Sequence, residues 1–102
     1  MSQVHLDVHE DADRELEDAA DYYDHESPGL GSAFIDEVER AYDRIRSTPL
    51  AAEEVDPSIR RLVLARFPYN LIYEVDGESA LVLAIAHQHK RPRYWRSRGQ
   101  AG

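Results

Sequence analysis

The chain has 102 residues, with 20 aspartates and glutamates against 12 lysines and arginines, and a formal net charge of −8. The length predicts one domain over residues 1–102, and the acidic total argues against indiscriminate binding to nucleic acid. The absence of cysteine excludes disulfides, thiol nucleophiles and cysteine-ligated zinc.

The N-terminal half of the chain predicts a strand followed by a helix. Residues 3–8 alternate between apolar and polar, with Val4, Leu6 and Val8 on one side, which indicates a short half-buried strand. In the next segment an apolar stripe recurs at helical spacing, and the other face is almost entirely acidic. The stripe consists of Leu16, Ala19, Ala20 and Tyr23.

A second helix is predicted after the sequence SPGLG at residues 27–31. Ser27 can cap its N-terminus, Pro28 suits the first helical position, and Pro49 ends it. Its apolar stripe consists of Phe34, Val38, Ala41 and Ile45. Because the break between the helices is short, we expect an antiparallel helical hairpin, followed by a loop over residues 50–57.

From Ser58 onward the pattern is that of strands. Residues 59–67, 69–75 and 79–87 are rich in β-forming residues, with breaks at Phe67–Pro68 and Asp76–Gly77. The last of these segments is nearly all apolar, so we expect a central strand that is buried on both faces.

The predicted fold class is α+β. An N-terminal strand, a helical hairpin and a three-stranded antiparallel meander form one small sheet, with the hairpin on one face. The first strand joins the sheet through a long connection, which permits parallel pairing.

No segment predicts export or membrane insertion. The N-terminus lacks the basic region and apolar stretch of a signal peptide. The longest apolar run, residues 80–86, is too short to span a bilayer. We therefore expect a cytoplasmic protein without a membrane partner.

Charge is divided between the two halves of the chain. Residues 1–56 carry 17 acidic and 4 basic side chains, a charge of −13. Residues 57–102 carry 3 acidic and 8 basic side chains, a charge of +5. The division predicts two working surfaces, of which the basic one suits a local anionic contact.

Three arginines beside the first strand of the meander are candidates for an anion-binding site. Alternation along a strand places Arg61 on one face and Arg60 with Arg66 on the other. A guanidinium group presents a rigid fork that binds phosphate or carboxylate. The alternative is that these arginines only decorate a solvent-facing surface.

His87 ends the predicted central strand and has two interpretations. It is either a general acid or base, or a partly buried residue that fixes the strand end through a hydrogen bond. His87 and His89 can face the same way, but no third metal ligand accompanies them. We therefore expect neither a metal site nor a cofactor.

The segment after His87 interleaves cations with aromatic rings. It contains Lys90, Arg91, Arg93, Tyr94, Trp95, Arg96 and Arg98. Such a segment can stack on bases and hold phosphates, pack the chain end against the sheet, or dock an acidic peptide. Because the acidic molecule repels polyanions, packing and protein docking are favoured over nucleic-acid binding.

Three blocks of sequence carry a resemblance to a known family. In chain order they are YYDHESPGLGSAFIDEVERAYDRI, RRLVLARFPYNLIYEV and LVLAIAHQHKRPRYW. Together they resemble the RelE/ParE superfamily, the toxins of bacterial type II toxin–antitoxin pairs, over roughly residues 4–96. The family fold, a helical hairpin against a small and mostly antiparallel sheet, agrees with the predicted order of elements. The resemblance implies a hetero-oligomer with a cognate antitoxin.

The superfamily has two branches with different functions. ParE-like members bind DNA gyrase and trap its cleaved DNA complex, whereas RelE-like members cut mRNA on the ribosome. The acidic charge favours the ParE-like branch, since RNA-cleaving relatives are strongly basic. The residues expected to bind the target or the antitoxin are Arg60, Arg61, Arg66, Lys90, Arg91, Arg93, Tyr94, Trp95 and Arg96.

If the chain is RelE-like, the resemblance implies four catalytic residues. Arg61 and Arg91 would hold the phosphate, His87 would act as acid or base, and Tyr94, or alternatively Trp95, would stack on a base of the RNA. In the ParE-like branch the toxin does no chemistry of its own, so no catalytic residue is assigned. A third alternative is an inactive homologue that still binds its antitoxin.

Overall fold

A computed structural model describes residues 3–99 as a five-stranded sheet with two helices on one face. The elements are β1 (His5–Val8), α1 (Glu10–Glu26), α2 (Leu30–Ser47), β2 (Glu53–Asp56), β3 (Ile59–Val63), β4 (Tyr69–Asp76), β5 (Ser79–His87) and a short 3-10 helix, η1 (Arg96–Arg98). The strand order is β1–β5–β4–β3–β2. Strand β1 runs parallel to β5, and all other neighbours are antiparallel.

The α+β class and the helical hairpin are as the sequence predicts, and the first strand adopts the parallel pairing that its long connection permits. The sheet, however, has five strands rather than the first strand and a three-stranded meander. The additional strand is β2, which lies within the segment expected to be a loop and pairs with β3. The sequence gives little sign of it because three of its four residues are glutamate or aspartate, which have low strand propensity. Opposite charges across the pair, Glu53 facing Arg61 and Glu54 facing Arg60, support it instead.

Strand β3 ends at Val63, four residues earlier than the pattern indicates. The cause is a side chain from the helical layer. The carboxylate of Glu37, on α2, accepts the backbone N–H groups of Ala65 and Arg66 at 2.9 and 3.1 Å. These bonds hold residues 64–68 in a turn, so the polar backbone there is satisfied without a partner strand.

The break between the helices differs from the sequence prediction. Helix α2 begins at Leu30, so Ser27 does not cap it and Pro28 is not its first residue. Instead the Leu30 N–H donates to the Ser27 carbonyl at 3.0 Å, and Gly29 has a φ of 90°. Proline followed by a glycine of positive φ is the signature of a type II turn. This turn reverses the chain and sets the two helices antiparallel.

The main core lies between the helices and the sheet, and it contains a cluster of four aromatic rings. Tyr23 and Phe34, from the two helices, meet Phe67 with centroid distances of 4.9 and 5.1 Å. Tyr69, the first residue of β4, lies 5.0 Å from Phe34 and 5.1 Å from the ring of His87. Tilted and edge-on rings at these distances attract one another. The cluster therefore fixes the end of the sheet at which β5 finishes.

A smaller apolar cluster lies on the opposite face of the sheet. It consists of Ile59, Ile72, Leu83, Ala84, Ala86 and Trp95. Trp95 is 5% exposed, because residues 88–98, which we call the C-terminal segment, cross this face and place the indole on it. Both faces of β5 are thus covered, which explains why residues 82–86 are all buried. Within residues 3–99, neither helix has the length and apolar character needed to cross a membrane.

The two helices pack tightly against each other at Gly31. A Cβ atom there would collide with the backbone carbonyl of Ala20 and lie 2.7 Å from Asp24 Cγ. We predict that Gly31→Ala lowers the free energy of unfolding by about 1–3 kcal/mol, the usual cost of overpacking. Urea denaturation followed by circular dichroism measures this.

The matched control is Ser32→Ala, at the next and exposed position of the same helix. It should change stability by less than about 0.5 kcal/mol. Equal urea midpoints for the Gly31→Ala and Ser32→Ala variants would contradict the prediction, because they would show that the helices accommodate the added methyl group without loss of stability.

Candidate functional site

The outer edge of β5 is only partly covered by another strand. Strand β1 pairs with it as far as Val82. Beyond that point two side chains bind the free backbone groups. The Ile85 N–H donates to Glu15 Oε1 at 3.0 Å, and Arg98 Nη1 donates to the Leu83 carbonyl at 3.0 Å. Because buried backbone polar groups need partners, these two bonds complete the sheet where its neighbour ends.

Glu15, Tyr94 and Arg98 form what we call the Glu15 cluster. The Tyr94 hydroxyl donates to Glu15 Oε2 at 2.7 Å, and the Arg98 guanidinium donates to both carboxylate oxygens at 3.0 and 3.2 Å. Arg98 also lies against the Tyr94 ring, with Cζ 5.0 Å from the centroid. Charge-assisted bonds of this kind are among the stronger ones in proteins. The cluster ties the C-terminal segment to α1.

Protonation states in the cluster follow from its burial and bonding. Burial, reinforced by the hydrogen bond to Glu15, raises the pKa of the Tyr94 hydroxyl. Burial acts to lower the pKa of Arg98, but its bonds to Glu15 outweigh burial and raise that pKa. At neutral pH, Tyr94 is therefore a hydrogen-bond donor and Arg98 a fixed cation.

A second anchor lies at the opposite edge of the sheet. The Asp56 carboxylate, on β2, receives Arg93 at 2.7 Å and lies 3.5 Å from Arg96. Between the two anchors, Trp95 fills the apolar centre of the sheet face. The segment is thus held at β2, at the sheet face and at α1.

Between this segment and the sheet lies a groove of about 240 Å³, which we call the cationic groove. It is lined by Val55, Arg61, Asn70, Ile72, Ala86, His87, Gln88, Lys90, Arg91, Pro92, Arg93, Tyr94 and Trp95. Four of these residues are cations, and none is an aspartate or glutamate. In a chain with 20 acidic side chains, this is a marked local separation of charge.

The four cations of the groove differ in how free they are. Arg61 pairs with Glu53 across the β2–β3 ladder, and Arg93 pairs with Asp56. Lys90 and Arg91 are exposed and have no carboxylate partner within residues 3–99. Lys90 Nζ lies 5.3 Å from the centroid of the Tyr94 ring. The uncompensated charge of the groove therefore comes from Lys90 and Arg91.

His87 lies at the groove with one ring nitrogen already engaged. Its Nδ1 accepts the backbone N–H of His89 at 3.1 Å, which folds the chain back just after β5. The ring packs edge-on against Tyr69. The bond from the His89 N–H to His87 Nδ1 is of the kind expected if His87 fixes the end of β5. Residues 3–99 contain no group of three or more His, Cys, Asp or Glu side chains that could hold a metal ion.

Three of the predicted binding residues lie away from the groove. Arg60 faces Tyr73 of β4 on the helical side, and its Nη1 donates to the carbonyls of Leu50 and Ala52 at 3.1 and 2.7 Å. Arg66 lies in the turn after β3, over the ring of Phe67. Arg96 is exposed on η1. The structure brings together Arg61, His87, Lys90, Arg91, Arg93, Tyr94 and Trp95.

Two acidic residues that organise this site have no sequence signal of their own. Glu15 is one of many carboxylates on α1, and Asp56 precedes a proline in a segment expected to be a loop. Their partners are distant in the chain, since Glu15 and Tyr94 are separated by 79 positions. Only the folded topology shows which acids meet the basic segment.

Comparison with known proteins places this architecture in the toxins of type II toxin–antitoxin systems. The sequence model of the family described as "ParE toxin of type II toxin-antitoxin system, parDE" matches residues 6–92. Because the match covers most of the chain, this protein belongs to the ParE toxin family. The resemblance noted in the sequence is thereby confirmed.

Solved structures show the same fold. A chain from the structure titled "Chromosomal ParDE TA system from P. aeruginosa" superposes with a TM-score of 0.74 at 19% sequence identity. The alignment covers 83% of this chain and 96% of that chain. A search of curated proteins gives no match.

Removing the charge of Glu15 tests the cluster. We predict that Glu15→Gln lowers the free energy of unfolding by about 1–3 kcal/mol, because Arg98 loses its closer ionic partner in a partly buried site and keeps only Asp11, at 3.7 Å. Urea denaturation measures the loss. Amide hydrogen exchange at Ile85 should accelerate as well, since its acceptor becomes weaker.

Glu17→Gln is the control, because it makes the same change at an exposed position of α1. It should leave both stability and exchange at Ile85 nearly unchanged. If the Glu15→Gln and Glu17→Gln variants behave alike, the cluster does not hold the segment.

Proposed function

We propose that this chain is a toxin that binds and inhibits DNA gyrase and is neutralised by a cognate antitoxin. The observation that carries the proposal is the ParE family match, which spans the chain from β1 through residue 92. The similar fold from a ParDE system supports an antitoxin partner and a hetero-oligomer. Because gyrase acts on bacterial DNA in the cytoplasm, the proposal places the chain there.

The proposed binding surface is the cationic groove with the segment that closes it. Its members are Arg61, Lys90, Arg91, Arg93, Tyr94, Trp95 and Arg96. Lys90 and Arg91 supply the accessible charge, while Trp95 and Tyr94 hold the segment in place. Arg60 and Arg66 do not contribute, because they lie on other parts of the molecule.

The contacts around the groove support binding rather than catalysis. Arg61 is neutralised by Glu53, and the Tyr94 hydroxyl is committed to Glu15. His87 Nδ1 is occupied by the backbone of His89. An RNA-cleaving site needs a group that removes the ribose 2′-hydroxyl proton and cations that meet the phosphate. Here three of the four residues that a RelE-like enzyme would use, Arg61, His87 and Tyr94, are engaged within the chain itself.

A RelE-like endoribonuclease is the second candidate, on one observation. Arg61, His87, Arg91 and Tyr94, the residues that such an enzyme would use, all line the same groove. Against it stand the net charge of −8 and the intramolecular bonds just described. An inactive homologue that retains only antitoxin binding is the third alternative.

Gyrase assays with the purified chain test the proposal directly. We predict inhibition of DNA supercoiling and accumulation of cleaved DNA, with intact mRNA in a parallel translation reaction analysed by primer extension. Addition of the cognate antitoxin should restore supercoiling. Codon-positioned mRNA cuts with gyrase unaffected would instead support the ribonuclease.

A substitution at His87 separates the two mechanisms. We predict that His87→Ala retains inhibition of supercoiling within about threefold, a change of roughly 0.7 kcal/mol in binding. In a ribonuclease the same variant would lose its activity while the fold, checked by circular dichroism, persists. A loss of gyrase inhibition in a well-folded variant would place His87 in the gyrase-binding surface.

A further inference from the structure

We propose that the cationic groove binds an acidic side chain carried by an extended segment of a protein partner. The inference rests on the proposed function in one respect, that the chain works through protein partners. It adds the chemical class of the segment and the residues that receive it. The charge of the groove, its size and the burial of its aromatic rings each support it.

Charge defines the ligand as anionic. Among residues 3–99 the lining contains four cations and no carboxylate, and two neighbouring acids, Glu53 and Asp56, are used to neutralise Arg61 and Arg93. Lys90 and Arg91 remain without a carboxylate within the described residues. A partner's carboxylate is the group that completes this arrangement.

The size and polarity of the groove suit an acidic side chain that is flanked by apolar groups of the same peptide. A volume of about 240 Å³ is below the usual range for drug-sized ligands and suits one or two side chains. Ile72 and Trp95 provide apolar walls. Asn70 and Gln88, which bond to each other at 3.3 Å, provide amide groups suited to a peptide backbone. Val63, 53% exposed and two residues beyond Arg61 on the same strand face, extends the apolar surface.

The aromatic rings do not suit nucleic acid. Single-stranded nucleic acid binds by stacking its bases on exposed rings. Trp95 is buried in the sheet face, and the Tyr94 ring already lies against Lys90 and Arg98. A neighbouring cavity that shares Lys90 and Tyr94 is lined by Glu15 and Asp18. A run of phosphates leaving the groove on that side would meet these carboxylates.

Peptide titration of the full chain tests the inference. The probe is a capped octapeptide of alternating glutamate and leucine, and the comparison probes are the glutamine–leucine peptide and single-stranded octathymidylate. Two NMR signals report on the groove: the indole N–H of Trp95, the single tryptophan, and the Nε–H of Arg61, which is buried without a partner within residues 3–99. We expect the glutamate peptide to shift both signals and to bind at least tenfold more tightly than either comparison probe.

Charge reversal at the rim supplies the matched variants. Arg91→Glu should weaken binding of the glutamate peptide at least tenfold. Arg40→Glu makes the same change at an exposed arginine of α2 outside the groove, and should leave binding within twofold. Raised salt should weaken the wild-type interaction, because exposed charges are screened.

Three results would overturn the inference. These are tighter binding of octathymidylate than of the glutamate peptide, equal binding by the Arg91→Glu and Arg40→Glu variants, and no binding of the glutamate peptide to the wild-type chain at about 1 mM. The titration contains no gyrase, so its failure is separate from that of the proposed function. If the chain binds the peptide but does not inhibit supercoiling, the groove is a peptide-binding site and the gyrase proposal is wrong.

Discussion

The carboxylate of Glu15 is the contact on which the rest of the site depends. Strand β1 is too short to cover the whole outer edge of β5, and α1 supplies Glu15 at the point where pairing stops. The same carboxylate then receives Tyr94 and Arg98. One side chain therefore completes the sheet and holds the segment that forms a wall of the groove. The two layers of the protein are coupled through this residue.

The position of the acidic residues explains how an acidic protein can present a basic site. Glu15, Glu53 and Asp56 bind arginines of the basic half, so four of its eight cations are neutralised where they serve structure. What remains accessible is a small excess at Lys90 and Arg91, on the sheet face opposite the helices. The excess is local, so it can attract an acidic side chain without making the whole surface attractive to polyanions.

The apolar pattern predicts the helices, the hairpin and the burial of β5 on both faces, because these features depend on the local sequence, whereas the middle strand of the sheet is β4 rather than β5. The pattern does not predict β2, because three of its four residues are acidic and have low strand propensity, and the strand is stabilised by cross-strand charge instead. Nor does it predict the early end of β3, which depends on Glu37 from α2. At the site, the basic segment was evident in the sequence, but its pairing with Glu15 and Asp56 was not. Contacts between residues far apart in the chain leave no periodic signal.

The parallel pairing of β1 with β5 has a consequence for how the molecule folds. His5 pairs with Ser79, so a strand near the start of the described chain can pair only after the distant strand β5 has formed. The α1–α2 hairpin and the β3–β4–β5 meander join neighbouring segments, whereas the β1–β5 ladder and the Glu15 cluster each close a very long loop. Closing long loops costs entropy before any contact repays it, which slows their formation. We therefore expect the groove to form late in folding, after the helices and the meander.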